Sequence, residues 1–112
     1  MVYYRESQID DAFFALSHPV RRGVIERLSR GELSVAEVSK TFNQSPAQMT
    51  KHLHILERAE LLSRKKEGRV HRLHFQREPL DEILDWVIKN RKFWEESFDS
   101  LEKYLLKLQE EK

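Results

Sequence analysis

Two capping boxes stand one short helix apart in the middle of this chain, and they fix much of what can surround them. Ser34 with Glu37, and Ser45 with Gln48, each place a hydroxyl three residues ahead of a side chain able to reach back to the backbone. Each box predicts a helix start. The first helix carries Val35, Val38 and Phe42 inward, and Asn43, which tolerates the left-handed conformation, closes it. Only Gln44 separates that stop from the Ser45 cap, and Pro46 suits the first position of the next helix. Two helices joined so tightly are the outline of a helix-turn-helix, whose second helix reads DNA.

That second helix, Ser45 to Ala59, has two unlike edges. Met49, Leu53 and Leu56 fall at helical spacing and face a core. At about 100° per residue, Ala47, Lys51, His54 and Arg58 lie opposite, flanked by Gln48 and Thr50. Small, amide, hydroxyl and cationic side chains are what base edges and phosphates can use. A solvated helix face is the plain alternative for this stretch taken alone.

The flanking segments extend the pattern. Before the boxes, Ile9, Ala12, Phe13 and Leu16 predict a short amphipathic helix, which Ser17-His18-Pro19 interrupts. Pro19 then opens a helix with Val20, Val24, Ile25 and Leu28 inward and Gly31 as its stop. Met1 to Gln8 offers only Tyr3 and Tyr4, with no partner indicated. After the reading helix, Leu61–Lys65 and Val70–Phe75 read as strands joined by Lys66-Glu67-Gly68-Arg69, Gly68 supplying a positive φ. The hairpin over 62–76, bearing Lys65, Lys66 and Arg69, is expected to be a wing whose cations meet phosphates or enter the minor groove. The alternative is an edge hairpin with solubilising charges.

From Pro79 on, Leu80, Leu84, Val87, Arg91, Trp94, Phe98, Leu101, Leu105 and Leu108 alternate spacings of four and three, widened by Ile83, Ile88, Phe93 and Tyr104. This is a heptad seam on a helix of roughly 45 Å, with Arg91 its odd polar member. A small domain cannot bury such a helix alone, so dimerisation is expected. A kink near Lys89-Asn90-Arg91 that folds the helix back is the competing arrangement.

Composition narrows the function classes. At 112 residues the chain is expected to be one domain, with a 9–78 core and a 79–110 C-terminal helix. Net charge is only +1, but residues 46–78 hold eight basic side chains against four acidic, whereas 79–112 hold six against nine. A basic middle beside an acidic tail suits contact between one region and a polyanion. There is no cysteine, hence no disulfide or thiolate metal site, and no apolar run spans a membrane or marks a signal peptide; a cytoplasmic protein is expected. The three glycines, Gly23, Gly31 and Gly68, form no phosphate-cradling loop, and no nucleophile–base pair stands out, so no enzyme is expected. His52 and His54 lie two apart on a helix, and His71 and His74 three apart on a strand; neither pair can chelate locally.

The ordered residues resemble a family. Ala15-Leu16-Ser17-His18-Pro19-Val20-Arg21-Arg22 is similar to the opening motif of ArsR-type bacterial winged-helix repressors. Thr50-Lys51-His52-Leu53-His54-Ile55-Leu56 resembles their recognition-helix motif, and Leu61 to Phe75 their wing. The C-terminal helix with Phe93-Trp94-Glu95-Glu96 resembles a branch of the family without metal. The resemblance implies a homodimer built from the first and last helices, binding an inverted-repeat operator and blocking transcription. Metal-sensing relatives carry Cys-x-Cys where Ser34 and Ala36 stand here, or histidines on the last helix, of which 79–112 has none; no metal or cofactor is expected. Glu60 replaces a glycine common in relatives, which calls the helix ending there into question.

The expected fold is therefore mainly α with a small β-hairpin wing, a winged helix-turn-helix with a long C-terminal dimerisation helix. The expected function is a transcriptional regulator, a homodimeric repressor of double-stranded DNA. Gln48, Thr50, Lys51 and His54, with Ala47 on the same face, are expected at bases or nearby phosphates, and Ser45, His52, Arg21 and Arg22 at the DNA backbone, with packing the plain alternative for His52. Lys65, Lys66 and Arg69 add sequence-independent affinity. Phe13, Leu84, Val87, Trp94, Phe98, Leu101 and Leu105 are expected at the dimer interface. A protein-interaction adaptor, or a sensor with an unidentified small-molecule effector held near Trp86 and Trp94, stays open as the alternative.

Overall fold

The computed structural model describes residues 2–110, and side chains from Gln8 to Glu110. In chain order the elements are α1 (Val2–Ala15), α2 (Pro19–Leu28), β1 (Leu33–Ser34), α3 (Val35–Thr41), α4 (Pro46–Arg58), β2 (Leu62–Glu67), β3 (Val70–Phe75) and α5 (Glu78–Glu110). The side chains of Tyr3 and Tyr4 lie outside the described residues.

Both capping boxes form. Ser34 and Ser45 accept the backbone N–H of Glu37 and Gln48, whose own side chains accept the Ser34 and Ser45 N–H in return. Both helices also end alike. After α3, Asn43 takes φ +50°, Asn43 N donates to Lys40 O and Gln44 N to Ser39 O. After α4, Glu60 takes φ +59°, with Glu60 N on Glu57 O and Leu61 N on Leu56 O. This is the double hydrogen bond of a Schellman stop. Glu60 thus adopts the left-handed geometry that a glycine would take freely, at a backbone cost of about 1 kcal/mol.

α2 starts at Pro19 as expected, but its cap is unusual: His18 Nδ1 accepts the Val20 N–H at 3.1 Å. The helix ends at Leu28 with Ser29 as its C-cap, before Gly31, which stands beyond it at φ +148°. α1 begins at Val2, well ahead of the expected Ile9, and it buries Ala12 and Ala15 where Phe13 and Leu16 were expected to lead. Small residues let α1 lie close on α4. Phe13 instead turns its ring edge to Trp86 of α5, at 5.7 Å between centroids.

Two differences concern the sheet. β1, only two residues long, pairs antiparallel with β3 (Leu33 with Leu73, Ser34 with Arg72), giving a three-stranded sheet ordered β1-β3-β2. β2 runs on to Glu67, so the turn is only Gly68-Arg69, and Lys65 and Lys66 lie on the strand opposite Arg72 and His71.

The core joins Val24 and Leu28 of α2, Val38 of α3, Met49, Leu53 and Leu56 of α4, and Leu61 and Leu73 around the sheet. Burying each such side chain is worth about 1.5–3 kcal/mol, and this fixes α4 with its opposite face outward. Gly23 has a packing role the sequence did not signal: a β-carbon there would come within 2.5 Å of the Phe42 ring, so the glycine lets α3 close on α2.

α5 is one uninterrupted helix of 33 residues. The chain does not fold back at Lys89-Asn90-Arg91. Leu80 packs on the core and Trp86 meets Phe13, but no residue of α5 is buried. Arg91 is paired along the helix with Glu95, Nε to Oε1 at 3.0 Å.

Candidate nucleic-acid interface

The outer face of α4 exposes Ala47, Gln48, Thr50, Lys51, His54 and Arg58 to differing degrees. Their freedom differs too. Gln48 has its carboxamide oxygen occupied by the Ser45 N–H, so its NH2 is the group left to read an acceptor. The Thr50 hydroxyl donates to Pro46 O at 2.7 Å and keeps its methyl and a lone pair for a ligand. Lys51 enters no ion pair among the described residues, and His54 is exposed. Ser45 is exposed, but its hydroxyl already accepts from Gln48 N, so it holds the helix start.

Strand alternation sorts the wing cations. Lys65, Glu67 and Arg72 share one face, where Glu67 takes Arg72 at 3.1 Å and Lys65 at 3.9 Å. Arg64, Lys66 and His71 share the other. Arg64 donates to Glu57 of α4 at 2.6 Å and lies 3.4 Å from His71 Nδ1, bracing the wing against the end of α4. Lys66 and Arg69 are exposed and form no ion pair among the described residues, which leaves them as the wing's available charges. Between the wing, α3 and the start of α4 lies a groove of about 780 Å³ lined by Lys40, Asn43, Thr50, Arg64, Arg69 and His71 among others. Lys40 and Asn43 were missed by sequence reasoning. Their position at the end of the first helix of the pair was the available signal.

Two expected backbone contacts are corrected. Arg21 is 5% exposed and is spent inside the protein: Nε donates to Ala15 O at 2.7 Å, and Nη2 to Phe14 O at 3.1 Å and Ser17 Oγ at 3.3 Å. Its remaining nitrogen, Nη1, lies 3.1 Å from His52 Nδ1. His52 is thereby turned inward, half-buried, with its ring 4.5 Å from that of His18. Burial, then the neighbouring His18 and Arg21, hold its pKa below the ordinary value. Arg22, by contrast, is exposed, with Nη1 on Leu16 O at 2.7 Å.

The places that would carry a metal are otherwise engaged. Ser34 is a helix cap and Ala36 has no donor atom, and the described residues hold no cluster of three or more His, Asp or Glu side chains able to share an ion. A crevice of about 230 Å³ lies between α1 and α5, lined by Ile9, Glu82, Asp85, Trp86 and Lys89; Trp94 is not part of it.

Comparison with known proteins agrees with this geometry. A helix-turn-helix domain family matches residues 16–64. The crystal structure of an ArsR family transcriptional regulator, RHA00566, superposes with a TM-score of 0.76 at 34% identity, covering 80% of this chain and 93% of that one. The chain belongs to the ArsR family of transcriptional regulators. An ArsR-like regulator from Rhodococcus sp. RHA1 has the same fold, with a TM-score of 0.75 at 20% identity over 88% of this chain and 92% of its own. The transcriptional repressor SdpR of Bacillus subtilis (strain 168) is 26% identical over 80 residues, 71% of this chain and 89% of that protein. Membership makes the α3–α4 pair the helix-turn-helix, α4 its second helix, and β2–β3 the wing.

Proposed function

We propose that the protein is a homodimeric transcriptional repressor that lays α4 in the major groove of an inverted-repeat operator. The observation that carries this reading is the pairing of an exposed polar face on α4 with the cations Lys66 and Arg69 beside it, which form no ion pair among the described residues. Gln48, Thr50, Lys51 and His54 address bases or adjacent phosphates, with Ala47 allowing close approach, and Arg22, Lys40 and Ser45 border the DNA backbone. The relatives include a named repressor and, at 17% identity and a TM-score of 0.62, the homodimeric winged helix-turn-helix DNA-binding domain of a Mycobacterium bovis protein, covering 78% of this chain and 82% of its own.

Dimerisation is supported by the apolar surface that α5 leaves uncovered. Leu84, Val87, Trp94, Phe98, Leu101 and Leu105 are all more than two-fifths exposed, and Phe98 reaches 68%. With Phe13 beside them they make a contiguous stripe of a kind that monomers do not leave in water. The seam and α1 are the proposed interface. A regulator of this kind acts in the cytoplasm without catalysis, and no described helix is long and apolar enough to cross a membrane.

The test is discrimination. On a duplex enriched from a random pool, Gln48→Ala or Lys51→Ala should reduce the preference over unrelated DNA by about 1–3 kcal/mol for each base pair no longer read. An unchanged preference in both variants would take α4 out of the major groove.

A further inference from the structure

We propose that Arg21 is a positioning residue for DNA recognition: it ties α4 to the carboxyl end of α1 through His52, so that a proton gained by His52 lowers DNA affinity. The inference rests on α4 being the reading helix.

Its basis is donor and acceptor chemistry. A guanidinium only donates, so the Arg21 Nη1···His52 Nδ1 contact of 3.1 Å requires an unprotonated Nδ1 with the ring hydrogen on Nε2. His18 is locked in the same way, because its Nδ1 accepts the Val20 N–H at the start of α2. The two rings lie 4.5 Å apart. Arg21 meanwhile spends three of its four other N–H groups on Phe14 O, Ala15 O and Ser17 Oγ, which anchor it against following His52 elsewhere. One buried side chain thus joins the end of α1, the first turn of α2 and the middle of α4.

Protonation of His52 puts a hydrogen where Arg21 already points one, and sets a second cation against the guanidinium. The groups facing His52 offer no relief. From α2 and its cap these are Arg21 and His18, and α1 presents to Arg21 two carbonyl oxygens and the Phe14 ring, whose centroid lies 5.3 Å from the guanidinium carbon, with the Ser17 hydroxyl just beyond its end. The depressed pKa of His52 agrees with this arrangement. Within α1, Phe13 rests on Trp86 of α5, so the same linkage runs from the reading helix to the exposed seam.

The sign is diagnostic. Acidification adds positive charge to a protein, and general electrostatics therefore predicts tighter DNA binding at low pH. The Arg21–His52 bond predicts the reverse. The experiment compares the full-length protein with His52→Gln, whose amide oxygen can still accept from Arg21 but does not titrate. Binding to one enriched duplex is followed by fluorescence anisotropy at fixed ionic strength from about pH 8 to about pH 5.5, across the histidine range. The ratio of wild-type to His52→Gln affinity should fall about tenfold, the scale of one charge-assisted hydrogen bond broken. A ratio that stays constant overturns the proposal.

Long-range proton–nitrogen NMR on the free protein supplies the second reading. His52 should titrate below the ordinary 6.5 with Nδ1 as acceptor, and titration at 6.5 or above overturns the proposal. If the wild type binds no duplex at any pH, the DNA-binding reading fails and takes the effect on affinity with it. The NMR titration would still judge the Arg21–His52 bond separately.

Discussion

Replacing Lys66 and Arg69 together by alanine removes the two wing cations that no carboxylate among the described residues neutralises. Every phosphate left without its cation lowers the slope of log affinity against log salt by about 0.9, so the double variant should flatten it by about 1.8. Over a fourfold rise in salt, from about 50 to about 200 mM, the affinity of the wild type should then drop about tenfold more than that of the variant. The structure also provides a control. Lys65 and Arg72 share Glu67 at 3.9 and 3.1 Å, so their charge is already partly cancelled. Lys65→Ala with Arg72→Ala should flatten the slope by less than about one unit. Anisotropy titrations on an enriched duplex and on an unrelated one, each at several salt concentrations, measure both. Phosphates carry no sequence information, so binding to the two duplexes should weaken alike. An unchanged slope in the Lys66/Arg69 variant, or a weakening confined to the enriched duplex, would refute the wing's role as a phosphate clamp.

Other consequences follow from single features. Glu60→Gly relieves the φ of +59° at the end of α4 and should stabilise the fold by about 1 kcal/mol in urea denaturation. Phe98→Asp or Leu101→Asp places a carboxylate in the α5 seam and should give monomers in sedimentation with weak operator affinity; a persistent dimer would move the interface elsewhere. Because the pKa of His52 is lowered on folding, the unfolded chain binds more protons just below pH 6.5. Stability should therefore be full above that value and decline as pH falls toward the folded pKa, and His52→Gln should reduce this decline in pH-dependent melting.

What could be read from the sequence was whatever is decided locally. Ser34 with Glu37 and Ser45 with Gln48 satisfy their own helix starts, Asn43 closes its own helix, and Gly68 makes its own turn, so these features needed no tertiary information. Met49, Leu53 and Leu56 followed from periodicity alone. The misses are where a distant partner decides. Leu33 and Ser34 become a strand only because β3 lies beside them, and two residues carry no alternation to read. Arg21 was expected at the DNA backbone; what buries it is a set of α1 carbonyls and a histidine 31 positions along the chain. For His52 the packing alternative holds in place of the DNA contact. Its two-residue offset from His54 places it on another side of α4, and only the packing of α2 shows which neighbour it meets.

Whether a pair of α4 helices reads a two-fold operator is decided by selecting bound duplexes from a random pool. An inverted repeat should be enriched, its half-sites centred about one helical turn apart or a multiple of it, and the enrichment should vanish when Lys51 is replaced or the α5 seam is broken. Enrichment of no common sequence, or of a single unrepeated site bound equally well by the Leu101→Asp monomer, would contradict the two-fold reading.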